Sequence, residues 1–337
     1  MLKKREGFSS LECLIVLVVL CIILIAFCFF IKTVNISISK KISSINEKKK
    51  IDVILDSIYE DIKNDVSSEG DSLFDSVWDR NNSIEDGYLI TLESLSGKIN
   101  LNFLDSKVLL ESGLPSVFYD SKSIIEIENL RSERLLYSYE EIKDYISEEN
   151  FSKYFSFYGF ANINIMNATS LELLVNNLTD SFYGTELNQK RNILLANKQL
   201  IKTETEYNLF CGINFSEIFP YINLDAAINV NFIDEDCLYK LINYAGFELT
   251  SKKRKVDTLL SLREKRELTQ EDIITILGIT KNDELYYYLG SKTWFWKISI
   301  QGKTQDCHVI LCRRVEKTSE LKPKFYIIEK RWISKWI

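Results

Sequence analysis

The chain has 337 residues, 46% of them hydrophobic and 27% charged, an ordinary globular composition with room for two or three modest domains. A net charge of −6 gives no general attraction to nucleic acid or anionic lipid, and three prolines with twelve glycines exclude a collagen-like or low-complexity chain. A single histidine, His308, removes every triad that needs a second imidazole, and seven cysteines without a C-x-x-C give no support for zinc ribbons or thioredoxin chemistry.

The N-terminus carries the strongest pattern. Lys3, Lys4 and Arg5 lead through Gly7-Phe8 to Glu12, and Cys13 to Ile31 is then an uncharged, largely apolar run of nineteen residues. As a helix that run is about 29 Å long, the thickness of a bilayer core. The basic leader predicts that the short N-terminal end stays cytoplasmic and the rest crosses outward. An ordinary signal peptide has a core of 7–15 residues and a small-residue cleavage site, and neither describes this run. A plain single-pass anchor accounts for the hydropathy. Glu12 asks for more, because a carboxylate at the edge of a span is costly and usually has a partner.

From Phe8 to Glu69 there is neither glycine nor proline. Ile31, Val34, Ile38, Ile42 and Ile45, then Ile51, Leu55, Ile58, Ile62 and Val66, mostly keep the three-to-four-residue step of one helical stripe. The pattern predicts a single helix that leaves the membrane and lies along a soluble head. Residues 33–39, TVNISIS, also alternate as a strand would, but nothing there breaks a helix. Residues 70–87 are polar and turn-rich, and residues 88–104 predict a strand, a turn at Ser96-Gly97 and a second extended run.

From about 105 to 290 the signals are helical, with capping-box patterns at Ser138/Glu141, Thr169/Glu172, Thr203/Glu206 and Thr269/Asp272. Residues 294–300, 308–315 and 324–333 return to strands. Within the helical stretch INIMNATSLEL (163–173) aligns on INVNFIDEDCL (228–238), which predicts a repeated unit with Thr169 and Asp234 as equivalent caps. The expected class is α+β: a long helix and an antiparallel sheet interrupted by a large helical insert. The expected divisions are a leader (1–7), a membrane segment (8–31), the outer part of the helix (32–69), the start of the head (70–104), the insert (105–290) and closing strands (291–337).

KKREG followed by FSSLE resembles a class III, type IV prepilin signal: a basic leader, a glycine, a phenylalanine that starts the mature chain, and a glutamate fifth. The resemblance implies cleavage between Gly7 and Phe8 by a prepilin peptidase, N-methylation of Phe8, and an assembly role for Glu12. SGKINLNFL (96–104), LIKTETEYNLFCGINFSEIFPYI (200–222), INVNFIDEDCLYKLI (228–242) and VDTLLSLREKRELTQEDIITILGI (256–279) resemble, in the family's own order, segments of the type II secretion system minor pseudopilin K family. That family implies a pilin-like helix and sheet carrying a SAM-like, helix-hairpin-helix-like insert. It implies a structural subunit at or near the tip of a pseudopilus that supports protein export, held in the inner membrane with its head in the periplasm. The implied partners are other minor and major pseudopilins, a prepilin peptidase and the inner-membrane secretion platform. Two departures stand out. The family usually lacks a glutamate where Glu12 stands, and its N-T-A triplet is here Asn231-Phe232-Ile233 and Met166-Asn167-Ala168.

The alternatives are a membrane-anchored helix-hairpin-helix DNA-binding protein of an uptake system, or a minor type IV pilin. Lys252-Lys253-Arg254-Lys255 lies near the turn at 243–249, yet that turn and the one at 179–187 hold one glycine each, and a basic run is more commonly a solvated loop. Nucleic acid is not expected as a partner. No Walker A, G-x-G-x-x-G, G-x-S-x-G or H-E-x-x-H motif occurs, so a non-enzymatic chain without a cofactor is expected. Calcium suits a secreted head but no D-x-[DN]-x-[DN]-G loop is present, and metal binding stays open. Cys307 and Cys312, five apart on one strand, point to opposite faces and should not pair, whereas a Cys211–Cys237 bridge and buried free thiols are both open.

Overall fold

Helix α1 runs unbroken over Glu6–Asp65, sixty residues and about 90 Å. This is a computed structural model, and it describes residues 6–65, 70–179, 183–314 and 323–335. Residues 33–39 are helical, so the absence of any breaker outweighs their strand-like alternation. The helix has two halves of different chemistry. From Leu11 to Ile45 its apolar side chains are exposed, and it is the one helix among the described residues long and apolar enough to cross a membrane. From Ile51 on, the stripe Ile51, Ile54, Leu55, Ile58 and Ile62 is buried. Val66, the last member of the expected stripe, lies outside the described residues.

The buried stripe rests on one face of an antiparallel sheet. After α1 come the short strand β1 (Ile84–Glu85) and β2 (Tyr88–Ser94), whose alternate residues Ile90 and Leu92 face the helix. Their sheet neighbours follow about two hundred residues later: β2 pairs not with the next segment in sequence but with Phe295–Gln301. Between them the chain builds three units of one design.

The first unit comprises β3 (Ile99–Asn100), α2 (Ser106–Glu111), α3 (Ser121–Glu133), α4 (Glu148–Tyr154) and β4 (Phe155–Ser156). The second comprises β5 (Ala161–Asn162), α5 (Ala168–Leu178), α6 (Tyr183–Ala196), α7 (Glu204–Cys211), α8 (Phe215–Ile218) and β6 (Ile222–Asn223). The third comprises β7 (Ile228–Asn229), α9 (Glu235–Ile242), α10 (Lys252–Arg263), α11 (Gln270–Leu277), α12 (Leu285–Tyr288) and β8 (Leu289–Gly290). Each unit is closed by a two-residue parallel pair between its first and last strands.

The same hydrogen bonds recur in all three. The first asparagine of each unit (Asn100, Asn162, Asn229) accepts through Oδ1 from the amide two residues on, at 2.9, 2.8 and 2.9 Å. The second (Asn102, Asn164, Asn231) exchanges two bonds with the backbone of Leu136, Ile201 or Leu268 just before a capping box. An Asx residue then caps the next helix: Asp105, Asn167 or Asp234. Finally, an arginine donates to carbonyls just ahead of that cap: Arg131 to Leu101 and Leu104, Arg191 to Met166, and Arg263 to Val230 and Ile233. All six asparagines are buried, as backbone-satisfying side chains must be to repay their desolvation.

These units correct three expectations. The turn at Ser96-Gly97 is present within a 3₁₀ turn over Leu95–Gly97, but the extended run after it is cut to Ile99-Asn100, which pairs in parallel with Phe155-Ser156. The cap of α5 is Asn167 rather than Thr169, because its Oδ1 reaches the Thr169 and Ser170 amides at 2.9 and 3.2 Å. The repeat therefore sets Asn162 on Asn229 and Asn167 on Asp234, two residues from the register read in sequence, and it occurs three times rather than twice. The other three capping boxes form.

The chain returns to the sheet in β9 (Phe295–Gln301), β10 (Gln305–Arg314) and β11 (Lys324–Ser334), giving the order β1-β2-β9-β10-β11, antiparallel throughout. Trp296, Ile298 and Ile300 of β9 and Cys307, Val309 and Leu311 of β10 complete the core under α1. Burying each aliphatic side chain of that stripe contributes roughly 2 kcal/mol, which sets the head firmly on the outer half of the helix. The fold is α+β: a long apolar N-terminal helix, an antiparallel sheet, and helical units between two sheet neighbours.

Candidate functional site

Of the residues the sequence singles out, the N-terminal set lies on the free half of α1. Residues 1–5 of the leader are outside the described residues, Gly7 and Phe8 belong to the first turns of the helix, and Glu12 is exposed on it. Glu12 stands four residues, about one helical turn, after Phe8. Beyond the apolar run come Lys32, Lys40, Lys41, Lys48, Lys49 and Lys50, so cations flank both ends of the span. The exposed stripe Ile31, Val34, Ile38, Ile42 and Ile45 continues the apolar surface out of the span to Ser44, where Gln305 of β10 donates to the Ser44 hydroxyl. Chemically, this half can enter a bilayer and then offer one apolar flank to a neighbouring helix.

The head grips α1 through polar bonds at both ends of the buried stripe, at Glu47 and at Asp61. Glu47 is buried where α1 meets the β9–β10 turn, and it accepts from the Thr304 amide at 3.1 Å and from the Thr304 hydroxyl. Arg80 bridges Asp61 of the helix, at 2.5 Å, and Glu85 of β1, at 2.6 Å. Hydrogen bonds to Glu85 and Asp61 raise the Arg80 pKa further, so this clamp stays charged.

A second node joins the segment after α1, the third unit and the sheet. The Asp71 carboxylate accepts from the Thr293 amide at 2.6 Å and pairs with Arg313 of β10 at 3.1 Å, both side chains being buried. The Asp71 carbonyl accepts from Nδ2 of Asn229 and of Asn231, and Asp71 N–H donates to the Ser291 carbonyl at 2.8 Å. Burial pushes the Asp71 carboxyl up to about 6, with Arg313 and the Thr293 amide pulling it back. Burial also lowers Arg313, so each partner is held charged mainly by the other. Sequence reasoning missed this node because its members stand 242 residues apart.

Two of the four cations in the basic run have structural work. Lys252 Nζ donates to the Tyr244 carbonyl at 2.9 Å and Lys255 Nζ to the Leu277 carbonyl, each closing the end of a helix. His308 lies on β10 with Nδ1 2.8 Å from Ser299 Oγ across the strand pair. Burial and Lys297 lower its pKa. Cys211, Cys237, Cys307 and Cys312 are free and buried, and burial raises Cys211 to about 12 and Cys307 and Cys312 to about 11, far from thiolate chemistry. Cys211 and Cys237 lie in separate core clusters. Among the described residues no three His, Cys, Asp or Glu side chains converge as metal ligands do.

No protein-family model matches this chain, and no curated protein shows significant similarity to it.

Proposed function

We propose that the chain is a minor pseudopilin-like assembly subunit of a type II secretion or closely related machine, anchored by α1 in the inner membrane with its head on the periplasmic side. The observation that carries this reading is the division of α1: one continuous helix, its apolar side chains exposed from Leu11 to Ile42, then held to an antiparallel sheet from Ser44 and Glu47 on. A helix of that form serves two states, a lipid-held monomer and a filament core in which helices of neighbouring subunits replace lipid. With cations at both ends of the span, charge bias alone does not order them, and the prepilin-type signal around Gly7-Phe8 supports the stated orientation.

In this reading Glu12 supplies the electrostatics of assembly. Cleavage after Gly7 frees the amine of Phe8, and an ammonium and a carboxylate are each costly in a low-dielectric helix bundle unless they meet. Pairing Glu12 with the amine of a neighbouring subunit sets the axial step between chains and places this subunit beneath another. The three-unit helical body decorates the growing end. Glu12→Leu, expressed in the intact system, should cut the subunit's recovery in sheared filament fractions and its cross-linking to other pilin-like subunits at least several-fold, while cleavage at Gly7 continues. Unchanged incorporation of that variant contradicts the pairing role and favours a tip position.

A further inference from the structure

The linkers that leave the three units act as controls for one another. Two residues after each closing strand stand Tyr158, Asp225 and Lys292. The Ser156 hydroxyl and Asn223 Oδ1 accept from the amides of Tyr158 and Asp225 at 3.0 and 2.8 Å, so the first two linkers share a local bond. In the first, the side chain is used as well: the Tyr158 hydroxyl donates to Glu329 of β11. In the second, only the backbone is used, the Asp225 carbonyl accepting from Asn162 Nδ2 at 2.8 Å. The Asp225 carboxylate accepts no hydrogen bond from any other described residue and forms no ion pair with one.

Asp225 lines a cavity of about 360 Å³ between the second linker, the start of α11 and the third linker. Burial pushes its carboxyl up, and Lys292 and Arg313 pull it back only through space. Arg313 is committed to Asp71 at 3.1 Å. Exposed Glu271 adds a second carboxylate to the wall, so acids outnumber Lys292 there. The wall is already built: Trp294 Nε1 donates to the Ala226 carbonyl at 3.1 Å, Gln270 Nε2 donates to the Leu289 carbonyl at 3.3 Å, and a Cβ on Gly290 would stand 2.7 Å from the Ala226 Cβ.

This chemistry narrows the occupant. The volume falls at the small end of ligand sites, which run from roughly 300 to 1,000 Å³. An anion meets a net negative wall, and a neutral molecule leaves the desolvated carboxylate uncompensated. A divalent metal calls for more ligands, and no three His, Cys, Asp or Glu side chains converge among the described residues. An organic cation supplies the missing charge-assisted hydrogen bonds, with Tyr286 and Trp294 in the same wall for its carbon atoms.

We propose that this cavity binds a small organic cation, an alkylguanidinium or alkylammonium belonging to a free molecule or to a basic side chain of another protein, with Asp225 as its counter-ion. The assignment does not depend on the pseudopilin reading. The test is isothermal titration of the full-length chain in detergent at fixed ionic strength. The probes are n-butylguanidinium, its neutral isostere n-butylurea, calcium, and a blocked pentapeptide with one central arginine. The expected result is saturable one-to-one binding of n-butylguanidinium in the millimolar range or tighter, at least tenfold tighter than n-butylurea and weakened at least tenfold in Asp225→Asn. Lys292→Met, which leaves the carboxylate in place and removes the competing cation, should tighten binding several-fold. Tighter binding of the peptide than of n-butylguanidinium assigns the cation to a protein side chain, and weaker binding assigns it to a free molecule. No saturable binding, equal affinity for n-butylurea, displacement by calcium at equal concentration, unchanged affinity in Asp225→Asn, or no gain in Lys292→Met each overturns the proposal.

Discussion

Asn231 and Leu268 exchange two hydrogen bonds inside the third unit, Nδ2 to the carbonyl at 3.0 Å and the amide to Oδ1 at 2.9 Å. The same exchange joins Asn102 to Leu136 and Asn164 to Ile201. In each case a side-chain amide stands in for a strand neighbour, satisfying a buried backbone segment immediately before a capped helix. The repeat is thus defined by backbone satisfaction more than by its apolar residues, which vary from unit to unit.

Replacing Asn164 with leucine leaves the Ile201 N–H buried without its partner, while the Ile201 carbonyl keeps only the Tyr287 hydroxyl at 3.3 Å. Losing one bond and orphaning one backbone N–H should cost about 1–3 kcal/mol. Urea unfolding of the full chain in detergent, followed by circular dichroism, reads this as an earlier transition of the helical signal. A change under about 0.5 kcal/mol would show that water replaces the amide.

The Asp71–Arg313 pair carries a pH dependence with an unusual sign. Its folded pKa of about 6 stands above the ordinary 3.8, so between those values the folded chain binds more protons than the unfolded one. This group's contribution to stability therefore falls as pH rises from about 4 to about 6, opposite to a surface-paired aspartate. Arg313→Met strands the carboxylate and should cost about 3–5 kcal/mol at neutral pH, whereas Asp71→Asn with Arg313→Met should recover a large share of that loss. A double-mutant cycle on urea midpoints at pH 5 and pH 7 measures both.

Gly97 lies where β2 gives way to the first unit, and an added Cβ would stand 2.6 Å from the Phe232 carbonyl oxygen and Cβ. Phe232 in turn rests on Trp78, ring centres 4.7 Å apart, beside the α1 core. Gly97→Ala should therefore push the third unit off the head and destabilise the chain by about 1–3 kcal/mol. Limited proteolysis should then cut near residues 95–98 well below the global transition. Cleavage unchanged from wild type contradicts the close approach.

The long helix was legible because an apolar run and an apolar stripe share a segment that no glycine or proline breaks after Gly7. Three capping boxes were legible for a similar local reason, each serine or threonine being the first cap available. Thr169 failed because Asn167, two residues earlier, reaches the same amides. Ile99–Asn102 reads as a strand by alternation, but its asparagines face inward to backbone rather than outward to water. An Ile-Asn-x-Asn step ahead of an Asx cap was the available sign of the first unit. Asp71 and Arg313 carry no local signal, since only the completed sheet brings them together. The role of Glu12 rests on the pattern of the signal alone, and its partner in the proposed mechanism belongs to another chain.

The pseudopilin reading turns on the bond between Gly7 and Phe8. Co-expression of the full chain with a prepilin peptidase, followed by intact-mass and N-terminal mass spectrometry, puts that bond to the test. The prediction is a chain shortened by residues 1–7 that begins with N-methyl-Phe8, with cleavage blocked when Gly7 is replaced by a bulky residue. An intact leader, or cleavage beyond Ile31, would contradict it.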